Sequence, residues 1–198
     1  MNINEYQNYH ETKAHTSAEF PYNTYLCSIP LDFPGVPLHW HDELELVVIK
    51  RGQGFVSVDF DKRLVHSGDI IIIPPGCLHA IEQDDTFKME YENIIFKPDL
   101  LSSGANDLCM IQYIVPLLDG SLPIEYFLTP ALGSFEALSN CIRQIDLVCA
   151  DQTPGWQLAV KSSLFNFFFL LISESQKKTV STYSNSKSLE KMKTVLKS

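Results

Sequence analysis

From about Tyr22 to Phe96 the chain runs in short apolar stretches separated by Gly, Pro and Asp, the spacing of an antiparallel all-β unit. Val56, Val58 and Phe60 alternate with Phe55, Ser57 and Asp59, and Phe87, Met89 and Tyr91 alternate with Lys88, Glu90 and Glu92. A period of two with one wet face is a half-buried strand. LELVVIK (44–50) and DIIIIP (69–74) are apolar without that alternation, so both faces of these strands need cover.

The cover follows in sequence. From about Ala105 the period becomes helical: Leu132, Phe135, Leu138, Ile142, Ile145 and Cys149 stand three or four apart and form one stripe. Pro154 and Gly155 interrupt the chain before a second helix. There Trp156, Val160, Leu164, Phe167 and Leu171 make one stripe, and Phe165, Phe168, Phe169 and Ile172 fill the other side. A helix apolar nearly all round needs more cover than one small barrel supplies. A homodimer interface through Leu164, Phe165, Phe168, Phe169 and Ile172 is therefore expected; the alternative is burial by neighbouring helices of the same chain.

These patterns divide the chain into a polar N-terminal arm (1–20), a β unit (21–100), a helical segment packed on it (101–176), and a Ser/Thr-rich linker (177–187). The segment 188–198 opens a new amphipathic helix, with Leu189, Met192, Val195 and Leu196 on one face, and reads as the start of a truncated further domain.

Composition narrows the function classes. The 198 residues are 45% apolar with a net charge of −9, which suits a folded globular chain and repels phosphate backbones and anionic membranes. Any contact with DNA then belongs to a basic module outside this sequence. The five cysteines form no CxxC and leave an odd thiol, the pattern of reduced cytosolic residues rather than a disulfide framework or zinc finger. The opening twenty residues lack a signal-like apolar region, and the longest apolar run, LFNFFFLLI (164–172), is about half a membrane span. A soluble cytoplasmic protein without membrane contact is expected.

One stretch carries candidate chemistry. In GVPLHWHDELE, Gly35 is followed by His39, His41 and Glu45 and then by Gly52. If His39 opens a strand, His41 and Glu45 share its face. A second stretch runs Gly68, Pro74, Gly76, His79 in the spacing G-x5-P-x-G-x2-H, a buried strand, a tight turn, and a returning strand whose first inward residue is His79. Three imidazoles and a carboxylate are a donor set for Zn, Mn, Fe or Ni, or the polar lining of a metal-free pocket.

The two stretches resemble the paired motifs of the cupin superfamily, with a shortened gap between Gly35 and His39 and Gln83 where the family pattern has Asn. The resemblance implies a double-stranded β-helix barrel over roughly residues 20–100. HWHDELELVVIKRGQGFVSVDF and LVHSGDIIIIPPGCLHAI, with the arm, barrel, helix pair and linker in that order, are similar to the effector-binding and dimerisation domain of AraC/XylS-type bacterial transcription regulators. That likeness implies a mainly β fold with C-terminal helices. It further implies a small effector, a sugar or other metabolite, bound in the barrel, a homodimer, no required cofactor, no catalysis, and DNA binding only through an absent helix-turn-helix domain.

The expected pocket residues are His39, His41, Glu45 and His79, with Phe55 and Tyr91. A metal-dependent cupin enzyme, an oxygenase or isomerase, explains the same donor set but not the linker and final helix; a storage-type cupin is a weaker third reading. His66 reads as a solvated surface residue, His10 and His15 as part of a mobile arm for which the resemblance also allows a role in closing over ligand, Trp40 as outer-face packing, and Glu43 as shared between pocket and solvent.

Overall fold

The computed structural model describes residues 3–102, 104 and 107–195, with side chains for 5–102, 104 and 107–176. Strand β1 (Tyr22–Ile29), β2 (Gly35–His39), β3 (Leu44–Val58), β4 (Asp61–His66), β5 (Ile70–Ile73), β6 (His79–Gln83), β7 (Met89–Phe96) and β8 (Phe127–Leu128) form an antiparallel system. One sheet runs β1-β7-β3-β5-β8, and the other brings β2, β6 and β4 against the second half of β3. The fold is the expected mainly β barrel with C-terminal helices.

β3 belongs to both sheets because it bends. Its register against β7 shifts between Ile49 and Arg51, and Gly52 sits at φ +75° with the Lys88 carbonyl where a Cβ would stand. Only glycine takes that conformation and that close approach together. Past the bend, Val56 and Val58 turn inward to join Ile29, Val47, Ile49, Ile71 and Ile73 in the barrel interior.

The unalternated strands are covered as their composition demands. Leu44, Leu46, Val48, Ile70, Ile72, Ile94 and Phe96 leave the barrel on the other face and pack with helix α3 (Phe135–Asp151) and helix α4 (Trp156–Val195) in a second core. A π-helical turn (Met110–Ile114) and the short helix α2 (Val115–Leu118) precede them. On α4 the buried stripe is Val160, Leu164, Phe167, Phe168, Leu171 and Ile172.

That stripe corrects the expected interface: Leu164, Phe168 and Ile172 are spent inside this chain, and only Phe165 (36% exposed) and Phe169 (64%) keep an outward face. Residues 156–176 are long and apolar enough to cross a membrane by length and composition, but this packing uses one side of the helix as core. A second correction concerns the expected linker. Residues 177–187 continue α4 to Val195, since no Gly or Pro follows Gly155 to end the helix. The side chains of 188–198, read as the start of a further domain, lie outside the described residues.

The N-terminal arm departs most from expectation. It carries helix α1 (Ile3–Gln7) and is docked. Trp40 Nε1 donates to the Tyr6 carbonyl (2.9 Å), the Tyr6 hydroxyl donates to the Gly76 carbonyl (2.6 Å), and the Glu11 amide donates to the Trp40 carbonyl (2.9 Å). The Trp40 ring stacks with Tyr6 (4.6 Å) and His10 (4.2 Å). Trp40 thus packs outside the barrel as read from sequence, and what it packs on is the arm.

Candidate functional site

Between the sheets, under the arm, lies a cavity of about 250 Å³. Its walls come from β2 and β6 on one side and β1 and β7 on the other. His39 closes β2, His79 opens β6, Glu45 is the second residue of β3, and His41 sits in the connection between β2 and β3. The expected single strand through 39–45 is in fact two strands and a turn. The residues still converge: one ligand atom from each of His39, His41 and His79 lies within 4.8 Å of the others. Glu45 Oε2 is 3.0 Å from His41 Nε2 and 3.3 Å from His79 Nε2.

Local backbone sets the orientation of all three imidazoles. His39 Nδ1 donates to the Pro37 carbonyl (2.9 Å), His41 Nδ1 to the Glu43 carbonyl (3.1 Å) and His79 Nδ1 to the Cys77 carbonyl (2.9 Å). A carbonyl only accepts, so each Nδ1 carries the proton and each neutral ring keeps its lone pair on Nε2. His41 Nε2 then meets the Glu45 carboxylate acceptor to acceptor unless a positive charge intervenes, either a second proton on the ring or a metal ion.

The electrostatics agree with that need. Burial works against ionising Glu45, yet the His41 and His79 imidazoles outweigh it and hold its carboxyl well below the usual carboxylate range. Burial would likewise lower His41, but the hydrogen bond and charge of Glu45 raise it above the ordinary imidazole value. His39 moves the other way, lowered by burial and then by its neighbour His79. Histidine rings that present Nε2 to a common point, each oriented by a backbone carbonyl, are the donor arrangement of metal sites. The residues present fit a divalent ion held by His39, His41, His79 and Glu45.

The arm completes the site. Glu11 Oε2 lies 3.0 Å from His15 Nε2 and 3.4 Å from His39 Nε2. His15 is buried beside His41 and Tyr25, so the mobile-arm reading fails for it. Lys13 Nζ rests 4.9 Å above the Tyr25 ring at the mouth. Tyr91 and Asn93 on β7 and Cys27 on β1 form the far wall, with Phe33, Val36, Ile81 and Ile95 as apolar lining. The Tyr91 phenol is raised by burial and then by the neighbouring Cys27, and the Asn93 Oδ1 has no hydrogen-bond partner among the described residues.

Other expected residues fall elsewhere. Phe55 is outside the cavity, its ring under Lys62 Nζ at 4.9 Å, because the inward positions of this half of β3 are Val56 and Val58. Glu43 is buried but its carboxylate lies 3.8 Å from His41 Nδ1, behind the ring. His66 is solvent-exposed, as read from sequence. Glu11, Lys13, His15, Tyr25 and Asn93 line the cavity without having been singled out as pocket residues. The arm shows no apolar period that would dock it, and only the parity of Asn93 with Tyr91 on one strand was there to be read.

Such a barrel, closed around an imidazole–carboxylate cluster and backed by a helix pair, defines a cupin-type domain with C-terminal helices. The chain belongs to the family described as the AraC-like ligand binding domain, whose model matches residues 25–168. It is 33% identical over 159 residues to the HTH-type transcriptional regulator YdeC of Bacillus subtilis, covering 80% of this chain and 54% of that protein. It is 23% identical over 162 residues to the HTH-type transcriptional activator RhaR of Mannheimia succiniciproducens, again 80% of this chain and 54% of that protein. The chain therefore spans about half the length of these curated relatives. Among solved structures it is similar to a cupin protein from Bacteroides fragilis, 24% identical, covering 44% of this chain and 80% of that one with a TM-score of 0.38.

Proposed function

We propose that this chain is the effector-sensing and dimerising part of a soluble, cytoplasmic transcription regulator. A small metabolite enters the barrel cavity and biases how two DNA-binding domains, lying outside this sequence, are presented to DNA. The observation that carries the reading is the arm-capped cavity itself. Docked residues from the arm and residues from five strands share one cavity, so a molecule bound there has contacts that differ between the capped and uncapped states. Differential contact is what any ligand needs to shift an equilibrium. Names of the relatives favour regulation over catalysis, and the site needs no reaction to serve as a sensor.

The experiment is a thermal-shift screen of the chain against a metabolite panel, repeated with Val36→Phe, which fills part of the cavity. A hit that raises Tm in the native chain and loses its effect in the filled variant supports the reading. Hits that bind the filled variant equally well, or a panel with none, overturn it.

A specific observation favours a second component. The three Nδ1-locked histidines around Glu45 would hold a divalent ion, which supplies a Lewis-acidic anchor for an oxygen-bearing effector when bound. Elemental analysis of untagged protein should then give about one equivalent of metal per chain, reduced in Glu45→Gln; no stoichiometric metal removes this component and leaves the sensor reading in place.

A further inference from the structure

The sheet that walls the cavity has a second face, and on β7 the two faces alternate residue by residue. Tyr91, Asn93 and Ile95 look into the cavity, while Ile94 and Phe96 belong to the core shared with the helices. Glu92, between them, is buried on the helical side. Its carboxylate lies 2.6 Å from Lys50 Nζ on the adjacent β3, and the same ammonium donates to Asp146 Oδ2 on α3 at 3.0 Å. Beside this cluster the Cys149 thiol of α3 meets the Tyr22 hydroxyl of β1 at 3.8 Å.

Much of the remaining contact between sheet and α3 is apolar, made by residues such as Leu46, Val48, Leu138, Ile142 and Ile145. Apolar contact is non-directional, so it holds the helix against the sheet without fixing where along the sheet it rests. A charge-assisted hydrogen bond is directional and short-ranged. The Lys50 ammonium, ion-paired with the Glu92 carboxylate on the cavity wall and hydrogen-bonded to Asp146 on the helix, therefore ties the placement of α3 to the strand whose opposite face is the ligand wall.

We propose that Lys50, Glu92 and Asp146 are positioning residues that form a clasp passing the state of the cavity wall to α3 and the helix pair. The proposal rests on the sensor reading above and adds its route. It needs no movement of the arm.

The test uses amide hydrogen exchange in the full chain, read over residues 135–151. The perturbation is Asn93→Leu, near-isosteric and removing an amide oxygen that has no partner, so the fold is retained. With the clasp intact, this change on the cavity face alters α3 protection by about threefold or more, in the range of coupled positions. In the Lys50→Met/Asp146→Asn background the same substitution leaves α3 protection unchanged. Val36→Ala, on the opposite wall, leaves it unchanged in both backgrounds. Should the double variant fold poorly, Asp146→Asn alone, at a half-buried position, serves as the clasp-weakened background and gives a reduced response.

An α3 response of equal size with and without the clasp overturns the proposal, as does no response to Asn93→Leu at all. Because the readout needs no effector, either negative leaves effector binding in the cavity standing. Conversely, a cavity that binds no metabolite refutes the sensor reading while leaving the exchange result valid.

Discussion

Removal of the Tyr6 side chain should release the arm without unfolding the barrel. The Tyr6 ring stacks on Trp40 at 4.6 Å with 11° between planes, and its hydroxyl donates to the Gly76 carbonyl at 2.6 Å. Tyr6→Ala removes both and spares the bonds that the Trp40 indole and amide donate to the Tyr6 and Tyr9 carbonyls. The aromatic pair is worth about 0.5–1.5 kcal/mol beyond its area, and a hydrogen bond of this kind contributes about 0.5–1.5 kcal/mol. Together they amount to roughly 1–3 kcal/mol of closing free energy, a 5- to 150-fold rise in the open arm. Lys13 is an exposed lysine within the docked arm, between Glu11 and the buried His15, so trypsin reads the open state directly. When reclosing is faster than cleavage, the cutting rate follows the open population. Native chain, Tyr6→Phe and Tyr6→Ala should therefore be cleaved after Lys13 at rates rising in that order, while urea midpoints move little because Tyr6 and Tyr9 belong to neither core cluster. A cutting rate in Tyr6→Ala within about twofold of the native one, well below the 5-fold lower bound, refutes the reasoning. So does a fall in global stability that accounts for the whole increase.

Three further outcomes follow from the same geometry. Glu45→Gln strands His41 and His79 without their buried carboxylate and should cost about 3 kcal/mol or more in urea unfolding. Glu45 is depressed, so its contribution is present above about pH 4.3 and lost as pH falls through its lower folded value. His41 is raised, so its contribution is full below about pH 6.5 and lost as pH rises through its higher folded value. The gap between native chain and variant is thus widest from about pH 4.3 to 6.5. If the proposed dimer forms through this face, Phe165→Ser/Phe169→Ser should convert it to a monomer by light scattering while the chain stays folded, since both rings face outward; a native chain that is already monomeric, or a variant that unfolds, refutes this. Phe60 occupies φ +71° at an exposed hairpin tip, so Phe60→Gly should stabilise the chain by about 0.5–1 kcal/mol in urea, and a destabilised variant would show that the ring has an unrecognised packing role.

The barrel was legible because its cues are short-range. Alternation around Val56 and Val58, unbroken apolar runs at 46–49 and 70–73, and the Pro74-Pro75-Gly76 turn each act within one element. Parity also gathered His39, His41 and Glu45, although the chain reaches the same convergence through a turn rather than through one strand. What was not legible depends on contacts between distant segments. Nothing near Glu11 or His15 announces that the arm folds onto Trp40, since that docking rests on two ring stacks and four hydrogen bonds spread over residues 6–76. Phe55 was misplaced for a related reason: it lies just past the bend at Gly52, where β3 passes to the second sheet and the inward positions become Val56 and Val58. On α4 the stripe alone did not say how wide the sheet beneath it is, and Phe168 and Ile172 were assigned to the wrong side.

Division of the strands between two cores has a practical side for anyone wishing to retune this molecule as a biosensor. On β7 the positions that would meet a new analyte, 91, 93 and 95, are interleaved with those that seat the helices, 92, 94 and 96. A library confined to the first set varies the cavity wall without replacing any side chain that seats the helices.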